Sequence, residues 1–103
     1  MKKLQYTKLY PWMLSIKGIK SKDELYLFAT LYGLTKFSEY GYVEPKDVMQ
    51  IGEYLQIDGN AASKAVNSLV HKGLVRTYFS QNYRFFYVDL EKFSEYDTDA
   101  RTA

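Results

Sequence analysis

The residues with the most evident chemistry lie in the thirty residues from Gly59 to Val88. This window contains no Asp or Glu, although the whole chain of 103 residues has 12 acidic and 14 basic side chains. Its polar residues at helical spacing are Asn60, Ser63, Lys64, Asn67 and His71. Side chains three and four residues apart share one face of a helix. Amide, hydroxyl and cationic groups hydrogen-bond base edges and phosphates, and Asn suits paired contacts with adenine. The spacing therefore predicts a helix face that contacts a polyanion; a solvated face that binds nothing is the alternative.

A second group of candidate residues follows this helix. The basic residues of the window are Lys64, Lys72, Arg76 and Arg84. The flanking segments, residues 23–58 and 89–103, have an excess of acidic residues, so positive potential is concentrated on the window and on residues 1–22, which hold six Lys and no acidic residue. The runs LVRTYFS and YRFFYV predict a hairpin with Gln81 and Asn82 at its tip. If Arg76 and Arg84 are cross-strand neighbours, both reach a phosphate backbone or a minor groove, and the tip residues follow them.

The polar helix is expected to be the second of a helix-turn-helix pair. The first helix, PKDVMQIGEYL, directs Val48, Ile51 and Leu55 inward, and Gly52 permits close approach of another helix. QIDG then forms a tight turn, and Asp58 caps the second helix. The residues on the buried side of that helix are Ala62, Ala65, Val66, Leu69 and Val70, and Gly73 ends it.

Two further helices precede this pair. Ser21 and Glu24 have capping-box spacing at the start of SKDELYLFATLYGLTKFSEY. Its apolar face is formed by Leu25, Phe28, Ala29, Leu31, Tyr32 and Thr35. Before it, Pro11 opens a short apolar helix that Gly18 ends. We expect this helix to be packed, because its apolar residues Tyr6, Leu9, Trp12 and Met13 would otherwise expose a large apolar patch. The same patch is the candidate interface of a homodimer. A short strand is expected at Tyr42–Val43, before Pro45 opens the next helix.

The hairpin is rich in aromatic residues, and these have two interpretations. The residues are Tyr78, Phe79, Phe85, Phe86 and Tyr87. Aromatic residues that alternate along strands usually pack beneath the hairpin, and this is the expectation here. Stacking on bases, as in proteins that bind single-stranded nucleic acid, is the alternative.

Composition excludes several classes of function. The chain has no cysteine and one histidine, so thiolate and zinc-ligand sets are not expected. No apolar run reaches the roughly 18 residues of a membrane span, and the N-terminus does not resemble a signal peptide. We expect a cytoplasmic protein without enzymatic activity, metal or cofactor. Residues 1–96 are expected to form one domain and residues 97–103 a frayed tail.

Two stretches also carry a family resemblance. LVHKGLV after AASKAVNSL resembles the recognition helix and first wing strand of winged-helix regulators. YTKLYPWMLS, ELYLFATLYGLTKF and IGEYLQIDGNAASKAVNSLVHKGLV are similar to the N-terminal winged-helix domain of replication-initiation and replisome-organiser proteins on Gram-positive plasmids, phages and integrative elements. The similarity covers about residues 6–76. It implies an α+β, mainly helical fold, a winged helix-turn-helix with a C-terminal two-stranded β-hairpin wing. Small winged helices of mobile elements also resemble plasmid partition adaptors.

The residues and the resemblance together predict a sequence-specific protein that binds double-stranded DNA, as a homodimer. It would act as a transcriptional regulator or as a replication or partition factor of a plasmid, phage or integrative element. Two alternatives remain: a winged-helix adaptor that contacts only proteins, and a protein that binds single-stranded DNA.

Overall fold

The computed structural model describes residues 8–37, 51–53 and 55–96. The elements, in chain order, are a 3-10 helix (Pro11–Ser15), helix α1 (Lys22–Phe37), helix α2 (Gly59–His71), strands β1 (Arg76–Ser80) and β2 (Tyr83–Tyr87) and a 3-10 helix (Leu90–Phe93). Residues 51–53 and 55 are also helical, as are residues 94–96. The fold is α+β and mainly helical, with an antiparallel hairpin after the helices, which confirms this part of the expectation.

Some expectations concern residues outside this description. These are Tyr6, the strand at Tyr42–Val43, the helix start at Pro45, Val48 and the tail 97–103. Among the residues that the structure does describe, none of the helices has the length and the apolar character that crossing a membrane requires.

Helix α1 lies at the centre of the core. The Ser21 hydroxyl oxygen accepts a hydrogen bond from the Glu24 N–H at 3.2 Å, so the predicted cap is confirmed. The buried residues of α1 are Leu27, Phe28, Ala29, Thr30, Leu31, Tyr32 and Thr35. Leu27 and Thr30 fall outside the face that the sequence pattern predicts. They are buried because α1 contacts the N-terminal 3-10 helix, α2 and the hairpin on different sides.

Helix α2 begins where the sequence predicts. The Asp58 carboxylate accepts a hydrogen bond from the Asn60 N–H at 3.0 Å and caps the helix. The buried residues of α2 are Ala62, Ala65, Val66 and Leu69, and Val70 is half-buried. A Cβ atom added to Gly52 would lie 3.1 Å from the Cβ of Ala62, so glycine permits the close approach of the preceding helical segment, as expected.

The same helix ends at His71, and Gly73, the residue after the C-cap Lys72, has a φ of +77°. The Gly73 N–H donates to the Val70 carbonyl and the Leu74 N–H donates to the Leu69 carbonyl, both at 3.0 Å. These two bonds are those of a Schellman motif, which favours glycine at the residue with positive φ. The helix end fixes where the hairpin leaves α2.

The N-terminal apolar residues pack within the chain. Met13 is only 1% exposed, and Trp12 stacks on the rings of Tyr96 and Phe93 at centroid distances of 5.0 and 5.6 Å. The prediction that Met13 contributes to a dimer interface is therefore wrong, because the core of its own chain already covers it. Trp12 is half-buried by the same contacts, and Leu9 is the exposed member of the patch among the described residues.

The hairpin turns at Gln81 and Asn82, as predicted. Their φ values are +51° and +68°, and positive φ at both central residues is what a two-residue turn of the I′ type requires. At the other end of β2, the Val88 N–H donates to the Thr35 hydroxyl oxygen at 3.2 Å. This buried bond fixes the base of the hairpin on α1, whereas its tip extends away from the core.

Candidate nucleic-acid interface

Helix α2 presents its predicted polar face to solvent. Asn60, Ser63, Lys64, Asn67 and His71 are all exposed. They are exposed because the apolar residues at the intervening positions are buried against the core. Among the described residues, Lys64 forms no ion pair or hydrogen bond. The structure thus brings these five side chains to one accessible helix face.

The register of the hairpin assigns each of its residues to one of two faces. Residues directly opposite each other in antiparallel strands lie on the same face, and successive residues alternate between faces. Phe86 is 7% exposed and directs one face toward the core. This inner face carries Thr77, Phe79, Arg84 and Phe86. The outer face carries Arg76, Tyr78, Ser80, Tyr83, Phe85 and Tyr87.

Arg84 connects the inner face to helix α2. Its Nη2 atom donates a hydrogen bond to Oδ1 of Asn67 at 3.2 Å. Its guanidinium carbon also lies 4.8 Å from the centroid of the Phe86 ring, within range of a cation–π interaction. Two contacts therefore hold the guanidinium beside the polar face of α2, and the helix and the hairpin form one continuous surface.

Arg76 lies on the opposite face of the hairpin from Arg84. The register pairs Arg76 with Tyr87 and Arg84 with Phe79, so the condition for a joint phosphate contact, that the two arginines are cross-strand neighbours, is not met. Arg76 instead forms an ion pair with Asp89, whose carboxylate oxygen lies 3.1 Å from Nη1. The two-residue turn pairs Ser80 with Tyr83, and the antiparallel register that follows from it pairs Phe79 with Arg84. Arg76 therefore cannot lie opposite Arg84.

Lys72 has a structural role at the end of α2. Its ammonium group lies 2.6 Å from a carboxylate oxygen of Glu24 and donates to the Gly18 carbonyl at 2.5 Å. The same Glu24 oxygen accepts a hydrogen bond from the Ser68 hydroxyl at 3.3 Å. The window without acidic residues therefore gains carboxylate partners from elsewhere in the chain. Lys64 and Arg84 are the basic residues of the window that lack a carboxylate partner among the described residues.

The expectation that the hairpin aromatic residues pack beneath it holds for Phe86 and is wrong for two others. Tyr78 is 47% and Phe79 70% exposed, and Phe85 and Tyr87 are half-buried. The reason is that the hairpin extends beyond the core, so that only residues near its base are covered. Tyr83, 62% exposed, was not among the candidates; the two-residue turn would have placed it opposite Ser80.

The hairpin tip completes the accessible surface. Gln81 and Asn82 are both exposed at the turn. No cluster of three or more His, Asp or Glu side chains that could hold a metal occurs in the described part of the chain. The surface thus consists of amides, a hydroxyl, cations and an exposed ring, groups that bind ligands by hydrogen bonds, charge and apolar contact.

Comparison of the chain with protein-family models, with curated proteins and with solved structures finds no match.

Proposed function

We propose that the protein binds double-stranded DNA through the polar face of α2 and the inner face of the hairpin. Helix α2 would enter the major groove, where Asn60, Ser63 and Lys64 face base edges and phosphates. Arg84 would contact the phosphate backbone beside that groove, and contacts of this kind supply most of the salt-dependent affinity. In this proposal α2 would be the recognition helix and the hairpin the wing of a winged helix-turn-helix.

The observation that carries this proposal is the contact between Arg84 and Asn67. It joins a cationic hairpin to a polar helix face without a carboxylate at the junction. A guanidinium held in place loses less conformational entropy on binding than one that moves freely. The surface is therefore organised for an anionic ligand before that ligand binds.

The biological process is proposed on the resemblance described above. The protein would act as a transcriptional regulator, or as a replication or partition factor, of a plasmid, phage or integrative element. Binding to a specific site would require base contacts from α2, since phosphate contacts position a protein but carry no sequence information.

The test is a titration of mixed-sequence duplex DNA at several salt concentrations, by fluorescence anisotropy. We expect binding that weakens steeply with salt. For Arg84→Ala, the slope of log K against log salt should fall by about one, because one phosphate contact is lost. Arg76→Ala is the matched control, since Arg76 lies on the outer face and should leave the slope unchanged.

Two other outcomes would favour different functions. Absence of duplex binding even at low salt would overturn the proposal and favour an adaptor that contacts only proteins. Tighter binding to single strands than to duplex would favour the second candidate, a protein that binds single-stranded DNA. The specific observation in favour of that candidate is the exposure of Tyr78, Phe79 and Tyr83, because bases stack on exposed aromatic rings.

A further inference from the structure

We propose that Phe79 is a DNA contact of the hairpin, and that its ring packs against the sugar and base edge of a nucleotide beside the phosphate bound by Arg84. This inference rests on the proposed binding of duplex DNA. It adds an apolar contact to a surface for which the sequence predicted only polar and cationic ones.

The first argument is position. Phe79 is directly opposite Arg84 in the register, so the two side chains share the inner face of the hairpin. Opposite residues of antiparallel strands have Cβ atoms about 4.5–5.5 Å apart. The two side chains therefore start from adjacent positions on one face. One ends in a guanidinium and the other in an apolar ring, so together they can contact the anionic and apolar parts of one nucleotide.

The second argument is that the Phe79 ring contributes little to the packing of the fold. It is 70% exposed, and it has no aromatic or cation–π partner among the described residues. Its cross-strand neighbour could have covered it, but the Arg84 guanidinium lies over the Phe86 ring and is hydrogen-bonded to Asn67. The ring therefore remains accessible next to a fixed cation.

The third argument is the chemistry of the surrounding surface. Arg84 and Lys64 have no carboxylate partner in the described part of the chain, so the surface formed by α2 and the inner face of the hairpin favours an anionic ligand. Exposed apolar residues that occur singly are normal and need no function. The distinguishing feature here is the adjacent, fixed cation, which Tyr83 on the outer face does not have.

The experiment compares Phe79→Ala with Tyr83→Ala in the anisotropy titration of mixed-sequence duplex DNA. Both residues are exposed aromatics near the hairpin tip, but they lie on opposite faces. We expect Phe79→Ala to bind about tenfold more weakly, within the range that loss of one aromatic–nucleotide contact produces. Its salt slope should stay unchanged, because an apolar side chain releases no counterions. Tyr83→Ala should bind within about twofold of the unchanged protein.

The inference would be overturned by unchanged affinity for Phe79→Ala or by equal losses for both variants. It would equally be overturned by a lower salt slope for Phe79→Ala, which would show that the effect passes through Arg84. A larger loss on single strands than on duplex would also overturn it.

Phe79→Leu, which retains an apolar side chain, should lose less affinity than Phe79→Ala, and circular dichroism checks that each variant is folded. Absence of duplex binding by the unchanged protein contradicts the proposed function itself. If Arg84→Ala lowers the salt slope as expected and Phe79→Ala leaves the affinity unchanged, only this inference is contradicted.

Discussion

The two faces of the hairpin carry similar types of side chain but lie in different environments. The inner face starts at the buried Phe86, continues through Arg84 and Phe79 and lies beside α2. The outer face starts at Arg76, which is paired with Asp89, and continues through aromatic residues to Tyr83. Each face thus has one arginine and exposed aromatic side chains. The difference is that the inner arginine is hydrogen-bonded to an amide of α2, whereas the outer arginine is neutralised by a carboxylate.

This difference shows how one short element can have two roles. At its base, the inner face contributes to the core, and toward its tip it contributes to the proposed ligand surface. Because strand residues alternate, a shift of the register by one residue would exchange the two sets of side chains. The turn at Gln81 and Asn82 fixes that register, so this turn decides which arginine meets α2.

The largest expected effect is that of Phe86→Ala on stability. Phe86 is buried at the base of the inner face, and replacing a buried Phe by Ala destabilises proteins by about 3–5 kcal/mol. Tyr83→Ala on the outer face should change the free energy of unfolding by about 0.5 kcal/mol or less, because its side chain is exposed. Urea unfolding followed by circular dichroism measures both. Similar losses for the two variants would show that the faces do not differ in burial as described.

The elements of this region were predictable from local sequence, whereas the side-chain partners were not. Asp58, Gly73 and the tip at Gln81–Asn82 act through backbone geometry within a few residues, and the sequence pattern located all three. The partner of Lys72 is 48 residues away and that of Arg84 is 17 residues away. Such pairs depend on how the elements pack, which spacing along the chain does not determine.

Burial was predicted less well than element type for a related reason. Alternation along a strand shows which residues share a face, but how far the hairpin extends beyond the core depends on where its base is attached. The bond from Val88 to Thr35 fixes that attachment, and it leaves Tyr78 and Phe79 outside the core. Likewise, the apolar N-terminal residues at helical spacing predicted a packed helix, but they did not identify α1 and Phe93 as the partners that cover it.

An intermediate effect is expected from a double-mutant cycle of Asn67 and Arg84 on DNA affinity. Sequence reasoning alone predicts that Asn67→Ala costs about 1–3 kcal/mol on a preferred site and much less on random DNA, because a base contact is lost. In the structure, Oδ1 of Asn67 also accepts a hydrogen bond from Arg84. The double variant should therefore lose less than the sum of the single losses, by about 0.5–1.5 kcal/mol, the usual contribution of one hydrogen bond.

The cycle is measured by anisotropy on mixed-sequence duplex DNA, with Asn60 as the control partner. Asn60 is exposed on the same helix, and no contact with Arg84 is among its described ones, so Asn60→Ala and Arg84→Ala should be additive. If the affinity losses of Asn67→Ala and Arg84→Ala were also additive, the Arg84–Asn67 contact would not contribute to binding. The proposal that the inner face and α2 act as one surface would then lose its main support.

The smallest effect is expected from Asp89→Asn, which releases Arg76 from its ion pair on the outer face. Arg76 is 59% and Asp89 31% exposed, and ion pairs as accessible as this contribute about 0–1 kcal/mol to stability. Unfolding in urea should therefore change little.

The informative measurement is the salt dependence of DNA binding near physiological ionic strength, where the Debye length is about 8 Å and the lost negative charge acts only locally. Because Arg76 points away from the inner face, the slope of log K against log salt should remain unchanged. An increase of the slope by about one would mean that the released Arg76 contacts a phosphate, so that both faces of the hairpin would belong to the interface.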